Sequence, residues 1–176
     1  MEEIIELRRE LFSIVYSNWK ENTLFTPQWW ILLIIVIGLW FIWWKLVDKS
    51  RLMEVCFLGT VVGIVSTLLN SIGIELVLWG FPNQLFSLVK TFNLLDLTFI
   101  PITYMLLYQY FTRWLPYSIA VIIFGLLGSF IGQPLFTMLG IYETINWEYV
   151  YSFPVYLLIG FVGKLVVSFA KKHQTR

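Results

Sequence analysis

Three carboxylates are the residues of this sequence with the clearest potential for chemistry. Asp96 lies near the start of one apolar segment, Glu75 lies at the end of another, and Glu143 lies in a later loop. If the fold brings these segment ends together, the three groups share one cleft. Such a cleft suits acid–base chemistry or the binding of a cation, including a quaternary amine held on aromatic faces. The aromatic residues expected around it are Trp79, Tyr142 and Trp147.

The same residues also fit a plainer interpretation. Asp96 falls in the predicted first turn of a helix, where the positive end of the helix dipole stabilises an acidic side chain. Trp and Tyr are enriched wherever helices leave a membrane. On this interpretation the candidate cleft is an ordinary interfacial loop. The sequence leaves both interpretations open.

The composition predicts an integral membrane protein. Of the 176 residues, 59% are hydrophobic and 13% are charged, whereas soluble domains carry about 25% charged residues. The net charge of +1 gives no reason to expect nucleic-acid binding, which needs a basic surface. The chain has one cysteine, Cys56, and one histidine, His173. We therefore expect no intrachain disulfide, no metal site and no cofactor.

Hydrophobic runs predict an all-α fold, a polytopic membrane helix bundle of about five transmembrane helices. A helix of about 20 residues crosses a bilayer. The runs near that length are 29–47, 52–73, 94–111, 115–139 and 149–170. We divide the chain into an N-terminal helix with its entry segment (1–27), a five-span membrane domain (28–172) and a polar tail (173–176).

The N-terminal helix is predicted to be amphipathic. Ile4, Leu7, Leu11 and Ile14 follow one another at the three- and four-residue spacing of one helix face. Such a helix lies on a membrane surface, or it packs on the protein's own loops or on a partner. The sequence does not decide between these arrangements.

Small residues predict how the spans pack. A stripe in the second span, at spacings of three and four, consists of Cys56, Gly59, Gly63, Ser66, Asn70 and Gly73. The fourth span carries a similar set, Gly125, Gly128, Ser129 and Gly132. Small residues allow membrane helices to approach closely, so we expect these two faces to meet. Asn70 and Gln133 are expected to form hydrogen bonds between helices.

Basic residues predict the orientation, because Lys and Arg are enriched in cytoplasmic loops. One predicted side of the membrane carries Lys45, Lys49, Arg51, Arg113, Lys171, Lys172 and Arg176, with Lys164 reaching towards it. We therefore expect a multi-pass protein of the cell membrane with its C-terminus in the cytoplasm and its N-terminus outside.

Several segments of the chain resemble a known family. They are WWKLVDKSRLMEV (43–55), GIELVLWGFP (73–82), DLTFIPITYMLLYQY (96–110), IGQPLFTMLGIY (131–142) and WEYVYSFPVY (147–156). Together they resemble an uncharacterised family of small multi-span membrane proteins of spore-forming bacilli and clostridia. The resemblance spans roughly 28–167 and implies a bacterial plasma-membrane or spore-membrane protein, with a link to sporulation. It implies no catalytic role.

Three functional hypotheses follow. The first is a non-enzymatic membrane protein that contacts the lipid bilayer and binds a lipid, a small hydrophobic ligand or a protein partner. The second is a membrane enzyme that acts on a lipid or isoprenoid through Asp96 and Glu75. The third is a small transporter subunit. A weaker likeness to carotenoid-cyclase membrane domains ends at Pro154, because Val155 and Tyr156 stand where that pattern expects acids.

Overall fold

The computed structural model describes residues 1–86 and 94–174, and within them the predicted all-α bundle is confirmed. The helices are α1 (Glu2–Asn18), α2 (Pro27–Leu46), α3 (Leu52–Glu75), α4 (Leu94–Tyr110), α5 (Trp114–Leu127), α6 (Gln133–Met138) and α7 (Tyr149–Gln174). π-helical turns occupy Trp19–Thr23 and Gly128–Gly132, and two short strands, β1 (Trp79–Gly80) and β2 (Glu143–Thr144), pair antiparallel. Arg176, used above for the orientation, lies outside the described residues.

Four described helical segments are long and apolar enough to cross a membrane. They are Pro27–Leu46, Lys49–Glu75, Trp114–Met138 and Tyr149–His173. The remaining predicted span corresponds to α4, which has 17 residues and packs against α2, α3 and α5. The chain is therefore a membrane helix bundle, in which four long helices surround or flank a shorter one.

The seam between α3 and α4 is the closest helix contact of the bundle. A Cβ atom added at Gly59 would lie 2.5 Å from the Met105 sulfur, so only glycine fits without a shift there. At Gly63 the nearest atoms belong to Leu97 and Pro101, at 3.5 and 3.6 Å. The small-residue stripe of the second span therefore packs on the third span, as small residues at membrane helix interfaces generally do.

The second set of glycines has a different partner from the expected one. Gly125 and Gly128 face the rings of Phe153 and Tyr156 on α7, with Cβ positions 3.2 and 3.1 Å from ring atoms. They do not meet the α3 stripe, which α4 already covers. Two aromatic rings on α7 fill the space left by the absent side chains of Gly125, on α5, and of Gly128, at the start of the π-helical turn that follows it.

A charged cluster joins α3, α4 and α7 at one end of the bundle, here called the lysine-rich end. Glu54 accepts hydrogen bonds from Arg51 at 3.0 Å and from Lys171 at 2.9 Å. The Tyr108 hydroxyl donates to the same carboxylate. Glu54 thus forms a local ion pair with Arg51 and connects it to two further helices through Tyr108 and Lys171.

Lys164 closes the α4–α5 connection at the same end. Its side chain is only 2% exposed, and its ammonium group donates to the carbonyls of Phe111, Thr112 and Arg113 at 3.2, 2.9 and 3.1 Å. The Tyr117 ring lies 4.2 Å below the ammonium. The last carbonyls of a helix have no partner within the helix, so this lysine satisfies backbone acceptors where the chain reverses.

Among the described residues, the N-terminal helix meets the bundle near its C-terminal end, where Ile14 and Val15 border a cleft with Ile74 and Phe81. The Trp19 indole donates to the carbonyl of Gln84 at 3.0 Å, whereas α1 itself has no buried residue. Its apolar face, including Leu7 and Ile14, is more than half exposed. The contact of this face with a membrane surface, with the protein's own loops or with a partner stays a prediction.

We expect Gly160→Ala to destabilise the bundle. A Cβ atom there would lie 2.6 Å from the Tyr104 ring and 3.0 Å from Val121, and both side chains are fully buried. Overpacking of this kind costs about 1–3 kcal/mol. The measurement is the free energy of unfolding in detergent. Gly38→Ala is the matched control, because nothing lies within 4 Å of its Cβ position; equal losses in both variants would contradict the packing.

Candidate functional site

A cavity of about 460 Å³ lies within the bundle at the end opposite the lysine-rich end. It is partly open and is bounded by α3, α4, the α5–α6 segment, α7 and the two loops that carry β1 and β2. Most of its wall is apolar, and the polar lining residues are Ser66, Asn70, Asp96, Gln133 and Ser152. An apolar chamber with a few polar groups is the usual form of a small-molecule site.

Asp96 is the only carboxylate among the described residues that line the cavity. It lies in the first turn of α4, where the helix dipole favours a negative charge. Its backbone carbonyl accepts a hydrogen bond from the buried Ser66 hydroxyl at 3.0 Å, which ties this turn to α3. The carboxylate oxygen Oδ2 is buried and has no hydrogen-bond partner. Burying a polar atom without a hydrogen-bond partner inside a membrane costs free energy.

Two amides place further unpaired polar atoms at the cavity. Asn70 is 6% exposed; its Oδ1 accepts from the Trp79 indole at 2.8 Å, while its Nδ2 has no partner. Gln133 Oε1 is likewise buried and unpaired. Asn70 therefore bonds to the loop after its own helix and not to another helix. The lining residues Asp96 and Gln133 therefore each carry a buried unpaired acceptor, and Asn70 carries a buried unpaired donor.

A pair of tryptophans covers this end of the cavity. The rings of Trp79 and Trp147 meet edge to face with centroids 4.9 Å apart. Trp147 donates to the Ser152 hydroxyl at 2.8 Å, just as Trp79 donates to Asn70. A Cβ atom at Gly73 would collide with the Trp79 ring. The cap is therefore held by one hydrogen bond to α3, one to α7, and a glycine that leaves room for an indole.

The structure brings together four of the six residues proposed for the cleft. Asp96, Trp79, Tyr142 and Trp147 line the cavity, while Glu75 and Glu143 are exposed and lie outside it. Adjacent residues of an extended chain point to opposite sides, and this explains why Tyr142 is buried while Glu143 faces outward. Glu75 ends α3 on an exposed face. The three carboxylates therefore do not converge.

The proposed packing residues divide into two groups. Gly59, Gly63, Gly125 and Gly128 are occupied by neighbouring side chains, as described above. Ser66, Asn70 and Gly132 line the cavity, as does Gly128 beside Tyr156, and the nearest atom to a Cβ at Gly132 is 3.7 Å away. Sequence reasoning missed the aromatic wall, because an aromatic residue in an apolar span gives no signal for facing a cavity. That wall includes Phe99, Phe124, Phe136 and Tyr156.

A second cleft of about 570 Å³ lies between α2, α3 and α4. It is lined almost entirely by apolar and small residues, among them Trp43, Gly59 and Met105. The Trp43 indole N–H is buried without a partner, but no charged residue lies in the described lining. The Asp96 cavity is therefore the better candidate for a functional site.

The carboxylates of Glu54 and Asp96 should respond oppositely to the same chemical change. Glu54→Gln removes the negative charge that accepts hydrogen bonds from Arg51, Tyr108 and Lys171, so we expect a loss of about 1–3 kcal/mol in the free energy of unfolding. Asp96→Asn removes a charge whose Oδ2 has no donor, so we expect no loss, or a gain. Both are measured by denaturation of the purified protein in detergent. A loss at Asp96 equal to that at Glu54 would mean that Asp96 is structural.

Comparison with known proteins identifies no relative: no protein-family model, curated protein or solved structure matches the chain. The resemblance to membrane proteins of bacilli and clostridia stays a prediction from the sequence. The chemistry of the site is therefore argued from its own geometry.

Proposed function

We propose that this protein binds the polar end of a lipid or another small hydrophobic molecule in the Asp96 cavity. One observation carries the proposal: a buried carboxylate oxygen without a partner lines a preformed chamber of about 460 Å³. Polar and ionisable groups inside a membrane domain are costly and commonly mark functional sites. A ligand that donates a hydrogen bond to Asp96 would relieve the cost of burying it.

The size and lining of the cavity support an amphipathic ligand. Sites for small molecules typically measure about 300–1,000 Å³ and place a few polar groups among apolar walls. Here the unpaired polar atoms of Asn70, Asp96 and Gln133 can meet a head group, while Phe99, Ile159 and their neighbours can enclose a chain. The arrangement can hold one polar head with an apolar body.

A lateral entrance from the lipid phase is consistent with the α5–α6 segment. Leu127 and Ile131 line the cavity, yet they are 51% and 60% exposed on the outside of the bundle. Leu127 directly precedes the π-helical turn Gly128–Gly132, and Ile131 lies within it; such turns occur frequently at functional sites. These two aliphatic side chains beside an irregular turn offer a route for a molecule dissolved in the bilayer.

The enzyme hypothesis has less support than the binding hypothesis. It paired Asp96 with Glu75, but Glu75 is exposed and does not line the cavity. A general acid and a general base must both lie within hydrogen-bond reach of the reacting group. Asp96 alone can position a ligand.

Binding of the ligand can be tested by native mass spectrometry of the gently purified protein. We expect an amphipathic molecule to accompany the wild type and to be lost from Asp96→Asn, because its head group would lose the anionic acceptor. Glu143→Gln is the matched control, since it makes the same change on an exposed carboxylate near the same end, and it should retain the ligand. A wild type that carries nothing from any membrane extract would contradict the proposal.

The orientation belongs to the same proposal. With the lysine-rich end in the cytoplasm, the cavity lies towards the outer leaflet and the loop of Glu143 faces outside. We expect Glu143→Cys, in a Cys56→Ser background, to react with an impermeant maleimide in intact cells. Lys172→Cys should react only after lysis. The reverse pattern would invert the orientation without affecting the cavity.

A further inference from the structure

We propose that the head group held in the Asp96 cavity is a protonated amine that retains N–H donors, as in a long-chain alkylamine. This inference rests on the proposed ligand-binding function and specifies the chemical class of the ligand. It depends on three features of the cavity: the balance of charge, the balance of hydrogen-bond donors and acceptors, and the aromatic lining.

The charge balance favours a cationic ligand. No Lys, Arg or His occurs among the described residues that line the cavity, whereas Asp96 does. At the other end of the bundle the buried Lys164 binds backbone carbonyls, and the partly exposed Arg51 binds Glu54. A buried charge is tolerated when a partner of opposite charge accompanies it. Since the described lining residues supply no cation, a cationic ligand can be that partner.

The unpaired atoms favour a head group that donates hydrogen bonds. Asp96 Oδ2 and Gln133 Oε1 are both acceptors without donors. An ammonium group supplies donors to both, and its bond to a carboxylate is of the strong, charge-assisted kind. A carboxylate or phosphate head group would instead meet two acceptors and repel Asp96. The unpaired Nδ2 of Asn70 can serve a hydroxyl or carbonyl oxygen next to the amine.

The aromatic lining also suits a cation. Rings of Trp79, Phe99, Tyr142, Trp147 and Tyr156 line the same cavity as the carboxylate. The negative face of an aromatic ring attracts an ammonium group, and the attraction is strongest where water is excluded. The tryptophan cap therefore offers a cation a second favourable surface beyond Asp96.

The test uses radiolabelled dodecylamine and the full chain in nanodiscs of phosphatidylcholine, with binding to empty nanodiscs subtracted. We expect saturable binding that unlabelled dodecylamine displaces well, dodecyltrimethylammonium displaces less well, and dodecanol and laurate displace poorly. Asp96→Asn should weaken dodecylamine binding by about tenfold or more, the range expected for a hydrogen bond to a charged group. Glu143→Gln should bind as the wild type does.

The outcomes separate this inference from the proposed function. Gly132→Leu places an aliphatic side chain at an open position of the cavity wall, and it should abolish binding of every probe that enters the cavity. If dodecanol competes as well as dodecylamine and Asp96→Asn binds both normally, while Gly132→Leu binds neither, the cavity binds amphiphiles but the amine inference is wrong. If Gly132→Leu has no effect on any probe, the cavity is not the site and both proposals fail.

Discussion

The close contact between α3 and α4 is the constraint on which the rest of the bundle depends. Gly59 and Gly63 let the two helices approach until Met105 and Pro101 fill the space between them. This contact fixes the register of the pair, because Tyr108 then reaches Glu54 at one end and Ser66 reaches the backbone of Asp96 at the other. Without such small residues, dispersion forces could not hold membrane helices this closely.

The carboxylates at the two ends of the α3–α4 contact differ in the hydrogen-bond donors that they receive. Glu54 receives donors from Arg51, Tyr108 and Lys171, and thereby joins three helices. Asp96 is held equally firmly through its backbone, yet its Oδ2 receives no donor. This contrast between two carboxylates of one bundle is what the proposed ligand would account for, because it would give Asp96 the donor that the fold does not provide.

The sequence predicts the positions of the helices far better than it predicts which neighbour each helix face contacts. Runs of apolar residues bounded by Pro, Gly and charged residues give the helix positions to within a few residues, since these signals are local. The common location of Asp96, Trp79, Tyr142 and Trp147 around one cavity is also accessible from the sequence, because aromatic and acidic residues cluster at the same helix ends. The exposure of Glu143 depends on the alternation of a two-residue strand, and the partner of Gly125 depends on two rings in a distant helix. Neither has a local signal.

A cavity next to a buried carboxylate would normally collapse, because empty space forfeits dispersion contacts. Here several rigid features oppose collapse. The Trp79 and Trp147 cap is bonded to both α3 and α7, and the π-helical turn Gly128–Gly132 keeps Gly132 at the wall, where it contributes no side chain. Since these elements are held by hydrogen bonds between residues of the cavity wall itself, we expect the chamber to be preformed. A preformed site loses little conformational entropy on binding, so even a small amphiphile could be held there by one charged contact and an apolar wall.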